Sequence, residues 1–187
     1  MAQNILQFLI DIVFQLFGIA LILRAWMFAI RLHPFNPFSQ AILRATDWLV
    51  QPIRRVIPGS GRFDWPSILA CWLTAILYLL LTWLVATGGM LPASIIGPLL
   101  LSGLLAGLKW LFNVIVWVTL IQAVLSWVNP LSPIMPVLYT LTAPLLDPIR
   151  RMLPRMGGLD LSPLVLLVIA QIAMMVLNHL VFTTFGA

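Results

Sequence analysis

Two arginine pairs have the clearest capacity for chemistry in this sequence. Arg54 and Arg55 form one pair and Arg150 and Arg151 form the other, each within the motif Pro-Ile-Arg-Arg. A guanidinium group is planar and carries several N–H donors, so it can bind a lipid phosphate or a carboxylate in a forked geometry. The motif therefore predicts a binding site for anionic headgroups or for a protein partner. The alternative is that the four cations only orient the chain in a membrane.

Four further charged residues could accompany the arginine pairs. Asp64 and Asp160 each stand before an apolar segment, where a carboxylate can cap the free N–H groups of a helix. A salt bridge from each aspartate to the arginine pair of the same connection is compatible with capping. Arg44 and Asp47 are three residues apart, the spacing of neighbours on a helix surface, so they are able to pair. We regard all four as candidates for lipid or partner binding.

Asp11 and Lys109 lie inside apolar segments. A charge at the centre of a bilayer costs about 2.5–3.5 kcal/mol, so such groups usually pair or extend to the interface. If Trp26 and Trp127 mark the same depth, Asp11 and Lys109 differ in depth by about 4.5 Å. An ion pair between the first and third spans is therefore predicted. Arg24 is expected to extend to the interface.

The sequence offers little for catalysis. Cys71 is the single cysteine, and the histidines are His33 and His179. No glycine-rich phosphate loop, no H-E-x-x-H and no G-x-S-x-G motif occurs. The basic residues stand beside apolar segments, a pattern of membrane proteins that argues against nucleic acid as a partner. We predict a protein that is not an enzyme and that holds neither a metal nor another cofactor.

The elements that position these residues are predicted from composition and segment length. Of 187 residues, 62 % are apolar and 8 % are charged, with a mean hydropathy of +1.09. A soluble domain carries about 25 % charged residues, so this chain requires a lipid bilayer around it. An all-α membrane protein with four transmembrane helices is predicted, because a span needs about 20 apolar residues. The spans cover residues 5–30, 67–85, 110–127 and 163–185.

The apolar sequence before the third span is too long for one ordinary helix. Leu91–Leu108 contains Gly97-Pro98, so we predict a re-entrant or interfacial piece there. The alternative is a fifth span, which would place the two termini on opposite sides of the membrane.

One structural unit occurs twice. Pro-Ile-Arg-Arg begins at Pro52 and again at Pro148, 96 residues later, and a Gly and an Asp follow at the same offset. Residues 1–90 and 91–187 are therefore predicted to be pseudo-symmetric repeats. Each contains a span, an amphipathic connection, a Pro-Ile-Arg-Arg hairpin and a second span. Two spans separate the copies, so the repeat is parallel.

The basic residues predict the orientation. Arginines occur in both connections, whereas the middle turn around Gly88 has no basic residue. The positive-inside rule then places Ser60 and Arg155 in the cytoplasm, and Gly88 and Ala187 outside.

The first connection has the periodicity of an interfacial helix over Phe38–Gln51. Its predicted apolar face is Phe38, Ile42, Ala45, Trp48 and Leu49, and its polar face is Gln40, Arg44, Asp47 and Gln51.

The sequence resembles the YggT/YlmG family of small bacterial and plastid membrane proteins. The resemblance rests on Asn36-Pro37-Phe38, on both Pro-Ile-Arg-Arg motifs and on Gly-Gly-Leu-Asp-Leu-Ser-Pro at 157–163, although repeat one has Gly61-Arg62 in place of Gly-Gly. The two-copy length resembles the proteobacterial YggT form, which implies a bacterial inner membrane. It also implies a non-enzymatic structural or assembly role in osmotic-stress tolerance.

Two other functions and the identity of the partner stay open. A channel or transporter would need a polar path between the halves, and an insertion or biogenesis factor would be favoured by a polar groove. The partner is an unknown membrane protein, and a homo-oligomer is a further possibility.

Overall fold

Six helices make up the described part of a computed structural model, which covers residues 1–32, 37–57, 59, 63–89, 92, 95–152 and 160–185. They are α1 Ala2–Ala29, α2 Pro37–Val56, α3 Trp65–Thr87, α4 Ile96–Val128, α5 Met135–Met152 and α6 Ser162–Phe185. Within these ranges there is no strand. Four of the helices are long and apolar enough to cross a membrane, namely α1, α3, α4 and α6. The predicted all-α fold with four spans is confirmed.

The two halves have the same internal packing. Helices α1, α2 and α3 contact one another, as do α4, α5 and α6, and α4 joins the halves by packing on α1 and α3. Helices α2 and α5 end at Val56 and Met152, which are 96 residues apart. Ile42 of α2 shares one apolar cluster with Leu141 of α5. Both connections therefore lie on the same side of the bundle, as a parallel repeat requires.

The Pro-Ile-Arg-Arg motif is helical in both copies. Pro52 lies inside α2 and Pro148 lies inside α5, and the arginine pairs occupy the last turns of these helices. Cations there are favoured by the negative end of the helix dipole. Residues 58, 60–62 and 153–159 follow the ends of these two helices at Val56 and Met152. Those residues, and with them Ser60 and Arg155, lie outside the described part, as do Ala187, His33 and the predicted repeat boundary at Met90-Leu91.

Helix α4 differs from its prediction. The region expected to hold a re-entrant or interfacial piece before a span at 110–127 is one continuous helix from Ile96 to Val128. Gly97 and Pro98 stand in its first turn, where proline is tolerated because the N–H groups there have no intrahelical partner. A helix of 33 residues is about 50 Å long, so it extends past a hydrocarbon core of about 30 Å or tilts within it. A fifth span is absent from the described residues.

Helix α2 packs on the bundle through part of its surface. Its buried residues are Ser39, Ile42, Thr46 and Val50, whereas Ala45 and Trp48 of the predicted apolar face are exposed. Thr46 lies toward α1, where it meets a buried cation described below. The position of α2 at the membrane interface stays a prediction.

Glycine allows two close helix contacts. A Cβ atom at Gly18 of α1 would lie 2.2 Å from the ring of Trp110 in α4, so only glycine fits without displacing that ring. A Cβ atom at Gly103 would lie 2.8 Å from Cγ1 of Ile76 in α3. The small-residue pair Gly103 and Gly107 therefore serves an internal contact between α3 and α4.

Candidate functional site

Arg24 is the centre of a buried polar network in repeat one. It belongs to α1 and is 3 % exposed. Its Nη1 donates hydrogen bonds to Thr46 Oγ1 and to Asp47 Oδ1 of α2, both at 2.8 Å. The expectation that Arg24 extends to the interface is wrong, because Thr46 and Asp47 of α2 hold its guanidinium inside the bundle.

Asp64 joins this network to the first arginine pair. It is 1 % exposed, and Arg54 Nη2 donates to its two carboxylate oxygens at 3.0 and 3.2 Å. Ser67 Oγ donates to Oδ2 at 2.5 Å, and Arg24 Nε lies 3.8 Å from the same oxygen. Asp64 precedes α3, but its side chain does not cap that helix. Its carboxylate instead links α1, α2 and α3.

The equivalent pair in repeat two is more exposed. Arg150 Nε donates to Asp160 Oδ2 at 2.8 Å, and Arg150 Nη1 lies 3.4 Å from Asp147 Oδ1. The backbone N–H of Ser162 donates to Asp160 Oδ1 at 3.0 Å, so this aspartate does cap its helix. Burial alone would raise the pKa of Asp160. The hydrogen bonds from Ser162 and the charge and hydrogen bond of Arg150 outweigh it, so the pKa of Asp160 is below its ordinary value.

The repeats differ at the position of the buried cation. Thr142 stands 96 residues after Thr46, and it donates its hydroxyl hydrogen to the side-chain oxygen of buried Gln122 on α4. Gln122 thus takes the place that Arg24 holds in repeat one. Ala143 stands 96 residues after Asp47, so the cation and its carboxylate are replaced by neutral groups together. An uncompensated buried charge is avoided in both halves.

The second arginine of each pair is not used internally. Arg55 and Arg151 are exposed, and no ion pair among the described residues involves either of them. Arg44 is also exposed, and the Arg44–Asp47 pair does not form because Asp47 contacts Arg24 instead. The first arginine of each motif therefore holds the fold, while the second remains available to a ligand.

The predicted ion pair between Asp11 and Lys109 is not among those that the described residues form. Asp11 instead accepts a hydrogen bond of 3.0 Å from the hydroxyl of Tyr78 in α3.

The register of α1 against α4 explains this difference. The prediction placed Trp26 level with Trp127, but the close contact of Gly18 with Trp110 moves α4 by nine residues relative to α1. With this register Lys109 lies six residues, or about 9 Å, further along the bundle than Asp11. Asp11 is bonded by Tyr78 instead.

Sequence reasoning predicted an interhelical hydrogen bond for Gln122 but connected neither Gln122 with Thr142 nor Arg24 with Thr46. Thr46 and Thr142 share the repeat offset, and this was the signal available in the sequence. Within the described part of the chain, no three histidine, cysteine or acidic side chains lie close enough to hold a metal ion.

Comparison with known proteins agrees with the two-copy architecture. The model of the CCB3/YggT family matches the chain twice, at residues 3–85 and 101–181. An uncharacterized protein from the proC 3′ region of Vibrio alginolyticus is 39 % identical over 180 residues, which cover 96 % of both chains. The uncharacterized protein YggT of Escherichia coli strain K12 is 39 % identical over 171 residues, covering 91 % of this chain and 87 % of the relative. No solved structure gives a significant match.

Proposed function

This chain belongs to the CCB3/YggT family, and we propose that it is a non-enzymatic structural or assembly factor of the bacterial inner membrane that contributes to osmotic-stress tolerance. In this role it associates with another membrane protein or with a second copy of itself, and its basic connections face the cytoplasm.

A polar stripe on α6 is the observation that supports assembly best. Gln171 and Asn178 are seven residues apart, so they lie on one face of the helix, separated by about 10 Å along its axis. Both side chains are exposed, and none of the hydrogen bonds among the described residues uses them. An amide facing acyl chains has no water to bond, whereas amides on facing helices can bond each other. The stripe is therefore suited to contact a second transmembrane helix.

The distribution of polar groups favours this role over a channel or transporter. A permeation path would need such groups along the inside of the bundle. Gln122 is satisfied by Thr142, and Asp11 accepts a hydrogen bond from Tyr78. The exposed amides of α6 face outward instead.

Site-specific crosslinking in native membranes tests the assembly role. A photo-crosslinking residue replaces Ile172, which is exposed beside the stripe, and a matched control replaces Leu73, which is exposed on α3. We expect a defined crosslinked polypeptide, identified by mass spectrometry, from position 172 and none from position 73. Adding Gln171→Leu and Asn178→Leu should reduce that product by about threefold for each lost hydrogen bond.

Growth after a hyperosmotic shift tests the physiological part of the proposal. In a strain that lacks the gene, the wild-type chain should restore growth and the double Gln171→Leu/Asn178→Leu variant should restore less at equal abundance. Equal crosslinking from both positions, together with full rescue by the double variant, would refute the assembly role.

A further inference from the structure

Lys109 is a cation of α4 that takes no part in the buried network around Arg24. It is half-buried, and no ion pair or hydrogen bond among the described residues involves it. Asn113 follows it by about one helical turn, is also half-buried, and has no hydrogen-bond partner in the described part of the chain. Residues four apart lie on the same face of a helix, so the cation and the amide are neighbours on α4.

This pair lies deep in the membrane-spanning part of the bundle. Lys109 stands 13 residues after the start of α4, or about 20 Å along the helix axis. Ile115 of α4 packs in one cluster with Leu166 and Ala170 of α6. The two helices run in opposite directions, so Lys109 lies near the level of Met175, close to the middle of α6. A cation at such a depth is costly unless a counter-charge compensates it.

The exposed amides of α6 lie on the same side of the α4–α6 pair as Lys109 and Asn113. On α6, Gln171 and Asn178 are rotated by about 100° and about 80° from Ala170, which faces α4. On α4, Lys109 and Asn113 are displaced in the same rotational sense from the residues that face α6. Equal senses of rotation on two antiparallel helices lead to one side of the pair. The cation and the amides therefore share one outer surface of the bundle.

The charge of this surface determines the kind of partner that fits it. A carboxylate is the missing counter-charge, and the five aspartates of this chain are engaged elsewhere. One accepts a hydrogen bond from a tyrosine and the others lie beside arginines; they are Asp11, Asp47, Asp64, Asp147 and Asp160. A second copy of the chain would bring the same engaged carboxylates and another lysine. The complementary group therefore belongs to a different protein.

We propose that Lys109 binds an aspartate or glutamate in a transmembrane helix of a different membrane protein. The partner helix packs across α4 and α6, with its carboxylate at the Lys109 ammonium, where Asn113 can donate a second hydrogen bond. Polar groups elsewhere on that helix face Gln171 and Asn178. This inference rests on the proposed assembly role and gives the partner a chemical class.

Crosslinking in native membranes, directed from Met175, tests the inference. Met175 is 74 % exposed and stands between Gln171 and Asn178 on α6. A photo-crosslinking residue at this position is combined with Lys109→Met, which removes the charge but keeps an unbranched side chain. The matched control is Lys109→Arg, which keeps the charge. At equal abundance, we expect the crosslinked product to fall about fivefold or more in Lys109→Met and less than about twofold in Lys109→Arg.

The carboxylate of the partner provides a second measurement, which decides if Lys109→Met does not fold. Mass spectrometry of the product from the wild-type chain should identify a membrane span that contains an aspartate or glutamate. Changing that residue to its amide should lower crosslinking by about fivefold while this chain is unaltered.

The results separate this inference from the assembly role. A captured span without an acidic residue would overturn the inference and leave the assembly role in place. The same conclusion would follow if removing either charge left the amount of product unchanged at equal abundance. A failure to crosslink from both position 172 and position 175 would refute the assembly role, and the inference with it.

Discussion

At the scale of single residues, each Pro-Ile-Arg-Arg motif contains two arginines with different tasks. Arg54 and Arg150 pair with the aspartate ten residues downstream, and Arg55 and Arg151 remain exposed. A guanidinium held by a fixed carboxylate anchors the end of its helix, and its neighbour is thereby presented on the surface. Each copy of the motif thus contains one arginine that holds the fold and one that is available to a ligand.

The buried pair should carry much more stability than the exposed one. Asp64→Asn leaves Arg24 and Arg54 without their shared carboxylate, and removing one partner of a buried pair costs about 3–5 kcal/mol. Asp160→Asn affects a residue that is 45 % exposed, where an ion pair contributes about 1 kcal/mol or less. Urea unfolding in detergent micelles measures both. Similar losses for the two variants would contradict the structural role of Asp64.

A double-mutant cycle tests whether the charged pair of repeat one can be replaced by the neutral residues of repeat two. Arg24→Gln and Asp47→Ala together copy the residues that repeat two has at the equivalent sites. Each single change leaves one member of the Arg24–Asp47 pair without the other, whereas the double change removes both charges and retains a hydrogen-bonding partner for Thr46. The double variant should therefore lose less stability than the sum of the single variants, by about 1–3 kcal/mol. Strict additivity would show that Arg24 and Asp47 do not interact.

The exposed arginines are tested by charge-conserving changes. If Arg55 and Arg151 bind phosphate or carboxylate in a forked geometry, Arg55→Lys/Arg151→Lys should reduce osmotic tolerance nearly as much as the corresponding Gln double variant. The Lys variant keeps the positive charge, so its orientation in the membrane should be normal. That orientation and the amount of the variant in the membrane are measured first as controls. Full rescue by the Lys variant would leave the two arginines with only a topological role.

At the scale of elements, the contact of α1 with α4 sets the relation between the halves. Gly18 lets the Trp110 ring lie against the α1 backbone, and this contact fixes the register of the two helices. The same register separates Asp11 from Lys109. The polar end of α1 remains covered by α2, which keeps Arg24 away from lipid.

Alanine at two glycines should have opposite effects. Gly18→Ala places a Cβ atom 2.2 Å from a rigid ring, so it should destabilise the chain by about 1–3 kcal/mol through overpacking. Gly107→Ala places a Cβ atom 3.8 Å from Cys71 Sγ, an ordinary contact. It should stabilise the helix by about 0.5–1 kcal/mol, since alanine has less backbone freedom to lose. Unfolding in micelles compares the two variants, and an unchanged stability in Gly18→Ala would rule out the close contact.

At the scale of the whole molecule, two similar halves enclose a cleft that neither half forms alone. Helices α1 and α3 of the first half and α4 and α5 of the second supply its walls. Both connections lie at the same end of the bundle, so their arginines are at one end of the molecule. An exposed polar stripe on α6 is a separate feature.

Cysteine labelling tests the predicted orientation of the chain. We expect Ser60 and Arg155 in the cytoplasm, and Gly88 and Ala187 outside, because the middle turn has no basic residue. Cysteines introduced at these positions, one at a time in a Cys71→Ala background, are labelled with a membrane-impermeant maleimide in intact spheroplasts. Labelling should occur only at positions 88 and 187. A protected position 187 with a labelled position 88 would require an odd number of spans.

The sequence alone determined the membrane class, the four spans, the repeat and the Arg–Asp partners within each connection. These features depend on composition, on segment length and on residues close in the chain, which the bilayer and helix geometry constrain directly. Asp64 and Asp160 lie only ten residues from Arg54 and Arg150, so their pairing is local.

Only the tertiary structure decided which distant groups meet. The lateral packing and register of the helices determine the partner of Arg24, the separation of Asp11 from Lys109, and the cleft. That register is set by the fit of Gly18 to Trp110, two residues that look like ordinary members of apolar segments. In lipid, burial of apolar surface does not choose between alternative helix contacts, so close packing and a few polar pairs make that choice.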